Sequence, residues 1–445
     1  MVYLLFTYKH KVIQMLKKED INIYKKNYIN DKSNKIRQRM LNKVPLVDLI
    51  QDVDTELNEE FNINIKTHSI TDQQSSGRCW LFAGLNILRE KIIKKCELNN
   101  FELSGSYIAY YDKLERFNIL LERLILYKND KKGLYDRYVS SLLENGMTDG
   151  GYFTQFANLI YKYGIVPKNI FPETFTSSNT YEINQILSRL LRKFYLDLEK
   201  NITNVKNLKD QCLEQAYTII TNVYGVVPEK FNFEYTDKNG KYHIDKNITP
   251  KEFYNKYIDI DLLNDYIEIT SYCDEKIKFN ELYQQNESSR ISGKKDNITL
   301  NLPADDFQSL IIKQLKSNEP VYFYCSTTSK RIDGIWIDIM ERYGEIFGID
   351  LKLDNNSILK TNGITNCHCM LITGANIVDN EITRFKIENS WGSKYGNQGY
   401  YVATSDWVTN YVHRIVINKK LLTINQQEIL IKNNVIKLEK WDVKF

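Results

Sequence analysis

The chain has 445 residues, several times the usual domain length, so it is expected to form two or three domains or one core with large insertions. Apolar residues make up 42% and charged ones 26%, which excludes collagen-like, coiled-coil and fully disordered chains. Sixty Lys and Arg against 56 Asp and Glu leave a net charge of +4, which neither demands nor forbids a polyanionic partner.

Nowhere does an apolar run approach the roughly 18 residues that a membrane helix needs, so no membrane association is expected. The seven cysteines, at positions 79, 96, 212, 273, 325, 367 and 369, include no CxxC pair, which favours a reducing compartment. The apolar run from Val2 to Phe6 is followed by Lys9, His10 and Lys11 without a small-residue cleavage site. A secretory leader is therefore not expected, and the expected location is cytoplasmic.

In chain order, residues 1 to about 64 are rich in Lys and Asn and read as an arm that needs a partner surface, with an amphipathic stretch near Val44 to Ile50. From Trp80, apolar residues return at three- and four-residue steps through Leu81, Leu85, Leu88 and Ile92 to Cys96, a core-facing helix that begins at or just before Cys79. Helical periodicity recurs over about 107–126 and 134–143, and Asp149-Gly150-Gly151 reads as a turn. Asn179 with Glu182 has the form of a capping box before a helix through Ile183, Leu187, Leu191 and Phe194; a second helix spans about 205–223. Phe231, Phe233 and Tyr235 alternate up to Asn239-Gly240, and Tyr242 and Ile244 alternate after it, a hairpin signal. Thr249-Pro250-Lys251-Glu252 opens another helix with Pro at its first position. The last third reads as strands over about 321–325, 369–377, 383–388 and 399–403, with a turn at Asp379-Asn380.

The chemistry concentrates in Gln73-Gln74-Ser75-Ser76-Gly77-Arg78-Cys79-Trp80, where a cysteine stands at the junction of a small-residue loop and a helix start. Unpaired N–H groups and the positive end of the helix dipole stabilise an anion there, so Cys79 is the candidate nucleophile. A thiolate needs an imidazole to hold it and to protonate a leaving amine. Among the five histidines the best placed is His368, at a strand start, with Asn389 across a strand turn in Glu388-Asn389-Ser390-Trp391-Gly392. Asn389 can accept the imidazole N–H, and Trp391 can shield that bond from water. Gln73, six residues before Cys79, can offer its amide N–H beside the Cys79 backbone N–H as an oxyanion hole.

Those strings resemble the papain-like cysteine peptidases, and specifically the bleomycin hydrolase / aminopeptidase C family. The similarity extends to Phe101-Glu102-Leu103-Ser104, Met147 to Gly151, Tyr163-Gly164-Ile165-Val166-Pro167-Lys168, Thr249 to Tyr254 and Trp441-Asp442, so it covers roughly residue 35 to the end. His368 follows Cys79 by 289 residues, against about 130–150 in ordinary papain relatives; the helix-and-hairpin insertion accounts for the difference. The resemblance implies an α+β fold: a papain-like two-lobed core, a helical lobe plus a β-barrel-like lobe, with a large insertion. The corresponding division is an N-terminal arm over 1–64, a helical lobe with the nucleophile over 65–182 and an inserted oligomerisation region over 183–303. A β-rich lobe with His368 and Asn389 covers 304–430, and a C-terminal arm that enters the cleft covers 431–445.

The resemblance also implies catalytic Cys79, His368 and Asn389, oxyanion-hole Gln73, supporting Trp80 and Trp391, and a C-terminal arm that ends at Phe445. It implies aminopeptidase action on peptides with a free N-terminus, through a thioacyl-enzyme, in a homohexamer without cofactor or metal. Three positions depart from the family pattern. Asp72 stands where Asn is usual, Cys369 where Ala is usual, and the tail stops three residues past Asp442. The short tail leaves papain-like endopeptidase action as an alternative.

Cys367-His368-Cys369 lacks a second ligand pair at zinc-finger spacing, and neighbours on a strand face opposite ways, so a zinc site is not expected. Lysines at 9–26, 128–132 and 294–295 are interrupted by Asn and Asp and read as solvated faces. A rival from another class is a hexameric scaffold that binds single-stranded nucleic acid weakly in a channel where modest charge is repeated sixfold.

Overall fold

The computed structural model describes residues 7–8, 11–12, 15–50, 58–200, 203–294, 296–327, 331–332, 334–364 and 367–442. Cα packing separates the chain into two compact units, Met1–Glu56 with Ile339–Lys352, and Leu57–Asp338 with Leu353–Phe445.

The smaller unit is helical, with Lys18–Asn30, Lys32–Leu41 and Ile339–Phe347 and a 3₁₀ turn at Leu46–Ile50. Asp31 starts the second helix by accepting the Ser33 N–H at 2.9 Å, and Arg342 donates to the Ile50 carbonyl at 2.9 Å. Ile21, Tyr24, Ile29, Ile36 and Met40 are exposed along these helices.

The larger unit pairs a helical core with a mixed sheet of 12 strands. At the centre of the sheet, Cys367–Val378 lies antiparallel to Val321–Ser326 on one side and to Glu381–Glu388 on the other. Val321-Tyr322-Phe323-Tyr324-Cys325 is apolar throughout because both faces of the strand are covered. Tyr322, Tyr324, Cys369 and Leu371 face the helical core, while Phe323, Cys325, Met370 and Ile372 face the second core on the opposite side. Asp379 and Asn380, both at positive φ (51° and 68°), make the tight turn between the two central strands.

The helix expected near Cys79 runs over Cys79–Cys96, and helices at Gly105–Asn129, Arg137–Asn145, Tyr181–Glu199 and Val205–Tyr224 match the periodic segments. The hairpin is Phe231–Thr236 with Tyr242–Ile248, and Thr249 heads Pro250–Tyr257 with a complete capping box.

Two local expectations need correction. Asn179 does not cap the helix at Tyr181; the cap position is Thr180, whose hydroxyl donates instead to Asp149 Oδ2 at 2.6 Å, while Asn179 forms a bridge with Ser75. Asp149-Gly150-Gly151 is not a turn but an irregular segment pressed against Trp80, whose ring would lie 2.5 Å from a Cβ on Gly151. Among the described residues no helix is long and apolar enough to cross a membrane.

Candidate active site

The loop before Cys79 is tied to the sheet by backbone bonds. Gln73 N–H donates to the Ser390 carbonyl at 2.9 Å, Gly392 N–H donates to the Thr71 carbonyl at 3.1 Å, and Asp72 and Trp391 form a bridge. Asp72 accepts the Gln74 N–H at 2.8 Å and so holds Gln74 in its left-handed conformation, φ 55°. These links bring two segments more than 300 residues apart to one place.

Side chains then fix the loop's shape. Gln73 Oε1 accepts from Ser390 Oγ at 2.7 Å, and its Nε2 donates to the Ser76 carbonyl at 2.6 Å, which leaves the second Nε2 hydrogen for another acceptor. Buried Arg78 donates from Nε to Ser76 Oγ at 2.8 Å and meets Glu173 through two guanidinium nitrogens, the shortest contact being 2.9 Å. Arg78 supplies no side-chain cap to the helix that follows, so the N–H groups of its first turn stay available.

On the far side, Asp149 organises the approach to Cys79. Its carboxylate accepts from Lys113 Nζ at 2.7 Å and from Thr180, and its carbonyl accepts the Trp80 indole N–H at 2.6 Å. Burial pushes the Asp149 carboxyl up, but Lys113, Thr180 and Asn184 outweigh it and hold it at about 2. Sequence reading missed Asp149, Lys113, Arg78, Glu173 and Ser390 as parts of this arrangement. Only Lys113 lies on a helix, as a charged residue that packing buries; the other four lie outside helices and strands, where sequence pattern marks no role.

Cys79 is 7% exposed and lines a cleft of about 590 Å³ together with Trp80, Gly151, Tyr324, Cys367 and Cys369; His368, between those last two, is 6% exposed. His368 Nε2 lies 2.8 Å from Asn389 Oδ1, and the same oxygen accepts the Ser390 N–H at 2.7 Å. A backbone N–H can only donate, so this second bond fixes the amide orientation of Asn389. Nε2 must therefore carry the proton, and Nδ1 is the nitrogen left for Cys79. The imidazole stacks on Trp391 with centroids 4.8 Å apart and planes 28° from parallel.

The electrostatics agree with the geometry. A hydrogen bond from the Cys369 thiol draws the Cys79 thiol well below its ordinary range; burial opposes this, and the charge and hydrogen bond of His368 add to it. Burial pushes His368 down, but its Cys79 and Asn389 partners outweigh that and leave the imidazole above its usual value. Both shifts favour a thiolate–imidazolium pair.

The other histidines are differently placed. His413 also lines the cleft, but burial and the adjacent Arg414 push it down to about 3, so it stays neutral. His68 pairs with Glu90 at 2.7 Å and His243 with Asp237 at 2.8 Å; His10 lies outside the described residues. Trp80 is fully buried within the helical core.

The last described residues run beside the cleft. Val435–Leu438 pairs in parallel with Glu281–Gln285, Glu439 accepts from Tyr138 at 2.7 Å, and Trp441 packs on Tyr138 with centroids 4.7 Å apart. Lys440 lines the cleft; Phe445 lies outside the described residues. No group of three or more metal-ligating side chains is assembled among the described residues.

Residues 15–444 match the family model for the Peptidase C1-like family. The chain is 37% identical to Aminopeptidase C of Lactobacillus helveticus over 397 residues, 87% of this chain and 88% of that one. It is 35% identical to Aminopeptidase C of Listeria innocua over 387 residues, 86% and 87% of the two chains. The crystal structure of PepW from Lactobacillus rhamnosis HN001 superposes with a TM-score of 0.88 at 31% identity, over 96% of this chain and 98% of that one. With a buried cysteine on its cleft and an imidazole bonded to an amide, the chain belongs to the Peptidase C1-like family, as a papain-like cysteine aminopeptidase.

Proposed function

We propose that the protein removes N-terminal residues from peptides through a thioacyl-enzyme, in the manner of bleomycin hydrolase. The observation that carries the reading is the Cys79–His368–Asn389 alignment, with Nε2 of the imidazole fixed as donor to Asn389 at 2.8 Å. Cys79 is the nucleophile: its thiolate attacks the scissile carbonyl carbon. The resulting oxyanion is met by the Cys79 backbone N–H and by the second Nε2 hydrogen of Gln73, which its bonds to Ser76 and Ser390 hold in position. His368 then gives its Nδ1 proton to the leaving amine, which departs and leaves a thioester on Cys79. In the second half, His368 takes a proton from water, the hydroxide attacks the thioester, and the Cys79 thiolate is the leaving group. Asn389 holds the ring in plane throughout, and Trp391 covers the imidazole face.

The preference for a free N-terminus follows the activity that the relatives' names print. The test is a matched pair of fluorogenic aminoacyl amides, one with a free amine and one N-acetylated, assayed under reducing conditions. The expected result is cleavage of the free-amine substrate alone, abolished by thiol alkylation. Equal cleavage of both substrates would leave the triad in place and overturn the aminopeptidase preference; cleavage of neither by reduced, folded protein would overturn the proposal.

The reading includes a cytosolic homohexamer. Seven free cysteines support a reducing location, and the exposed Ile21, Tyr24, Ile29 and Ile36 of the smaller unit support burial against another copy. Sedimentation should give six times the 52.5 kDa chain mass; a lone 52.5 kDa species at micromolar concentration would refute the assembly.

A further inference from the structure

Three cysteines other than Cys79 cluster where the end of the strand Val321–Ser326 meets the start of Cys367–Val378: Cys325, Cys367 and Cys369. The mechanism proposed above uses none of their thiols as a reactant, yet they differ in what they face. Cys325 turns its thiol to the His368 carbonyl, 3.6 Å away, on the sheet face away from the helical core. Cys367 is exposed. Cys369 is 4% exposed, sits in the same core cluster as Cys79 and lines the same cleft.

We propose that Cys79 and Cys369 form a reversible disulfide under peroxide, which switches the peptidase off and protects its nucleophile from irreversible oxidation. The proposal rests on the reading of Cys79 as the reactive thiolate. Placement supports it: Cys369 follows His368 on the central strand, is buried in the same core cluster as Cys79 and lines the same cleft, where a second thiol can act as the resolving partner. The two thiols are also unequal. Cys79 is held toward the thiolate and reacts first, while burial keeps Cys369 protonated and therefore slow toward peroxide.

The chemistry balances. The Cys79 thiolate attacks one oxygen of hydrogen peroxide and breaks the O–O bond, giving a sulfenic acid and hydroxide. The hydroxide removes the Cys369 proton as water, and the Cys369 sulfur attacks the sulfenic sulfur, displacing a second hydroxide that takes up a proton from solvent. In total, two thiols and one peroxide give one disulfide and two waters. A dithiol reductant reverses the step by thiol–disulfide exchange.

The test treats full-length wild type, Cys369→Ser and Cys367→Ser with hydrogen peroxide, then with dithiothreitol, each activity being compared with that variant's own untreated value. Serine keeps a hydroxyl donor beside Cys79 but cannot form the bond. Wild type and Cys367→Ser should lose at least about tenfold in activity and recover most of it with the dithiol, whereas Cys369→Ser should be inactivated without recovery as Cys79 passes to the sulfinic acid. Peptide mapping of peroxide-treated wild type reads the bond without any variant or substrate, so it stands even if the peptidase reading fails. A Cys79–Cys369 linked peptide is expected. A Cys79–Cys367 or Cys79–Cys325 link, or sulfinic acid at Cys79 with Cys369 reduced, would overturn the proposal, as would dithiol recovery in Cys369→Ser equal to that of wild type.

Discussion

Asn389→Ala removes one oxygen that accepts two donors, the His368 Nε2–H at 2.8 Å and the Ser390 N–H at 2.7 Å. A hydrogen bond to a charged imidazolium is worth about 1.5–3 kcal/mol. Because the ring keeps its stack on Trp391, the lower part of that range applies, about 1.5–2 kcal/mol, or roughly 10–30-fold in kcat/KM at about 1.4 kcal/mol per decade. The buried Ser390 N–H also loses its acceptor, which costs about 1–3 kcal/mol of folding stability. The Asn389 bond is among the contacts that raise His368, so its loss moves the alkaline limb of the pH profile to lower pH. The assay is kcat/KM for a free-amine aminoacyl amide across pH, alongside urea unfolding to establish that the variant is folded under assay conditions. A folded variant with kcat/KM within about twofold of wild type and an unmoved alkaline limb would refute the positioning argument.

The remaining predictions concern ionisation, the buried ion pair, the cleft floor and metal independence. Cys79 is lowered and His368 raised, so the ion pair forms as pH rises through the Cys79 value and is lost as pH rises through the His368 value. kcat/KM should therefore be bell-shaped, with its acid limb below an ordinary thiol and its alkaline limb above an ordinary imidazole; a single limb at the free-cysteine position would contradict this. Arg89 and Glu388 form a buried pair at 3.2 Å with side chains 1% and 0% exposed, so Arg89→Met should cost about 3–5 kcal/mol in urea unfolding, and a loss under about 1 kcal/mol would count against the pair as a structural tie. Gly151→Ala would bring a methyl group to 2.5 Å from the Trp80 ring, so a destabilisation of about 1–3 kcal/mol with reduced kcat/KM is expected. Chelators should leave turnover unchanged, since neither the nucleophile nor the oxyanion contacts require a metal; loss of activity that zinc restores would contradict the mechanism.

The parts of the site that were legible in the sequence are those whose chemistry is local. A cysteine after small residues at the onset of an apolar periodicity marks a helix N-terminus, and the helix does begin at Cys79. Asn239-Gly240 and Asp379-Asn380 marked turns because only residues that tolerate positive φ fit there. Charged residues at buried positions hid the strands Val412–Asn418 and Tyr266–Thr270. His413, Arg414 and Glu268 break the apolar pattern, yet Arg414 and Glu268 pair at 2.8 Å with side chains only 1% exposed, and tertiary pairing replaces hydrophobicity as the reason for burial. Asn179 misled because a capping box is a local pattern, whereas its neighbour Thr180 is drawn to Asp149 from 31 residues away. The role of Asp149 could not be read from its neighbours, since its partners Lys113, Thr180 and Trp80 come from three different segments.

The central claim is that Cys79 alone of seven cysteines is the reactive thiolate. Its most direct test is inactivation by sub-stoichiometric iodoacetamide near neutral pH, with mass mapping of the alkylated residue and titration of the activity that remains. The account predicts carboxamidomethylation at Cys79, in one-to-one proportion to lost turnover. Alkylation at Cys367 or Cys273 with turnover lost, or at Cys79 with turnover retained, would contradict it.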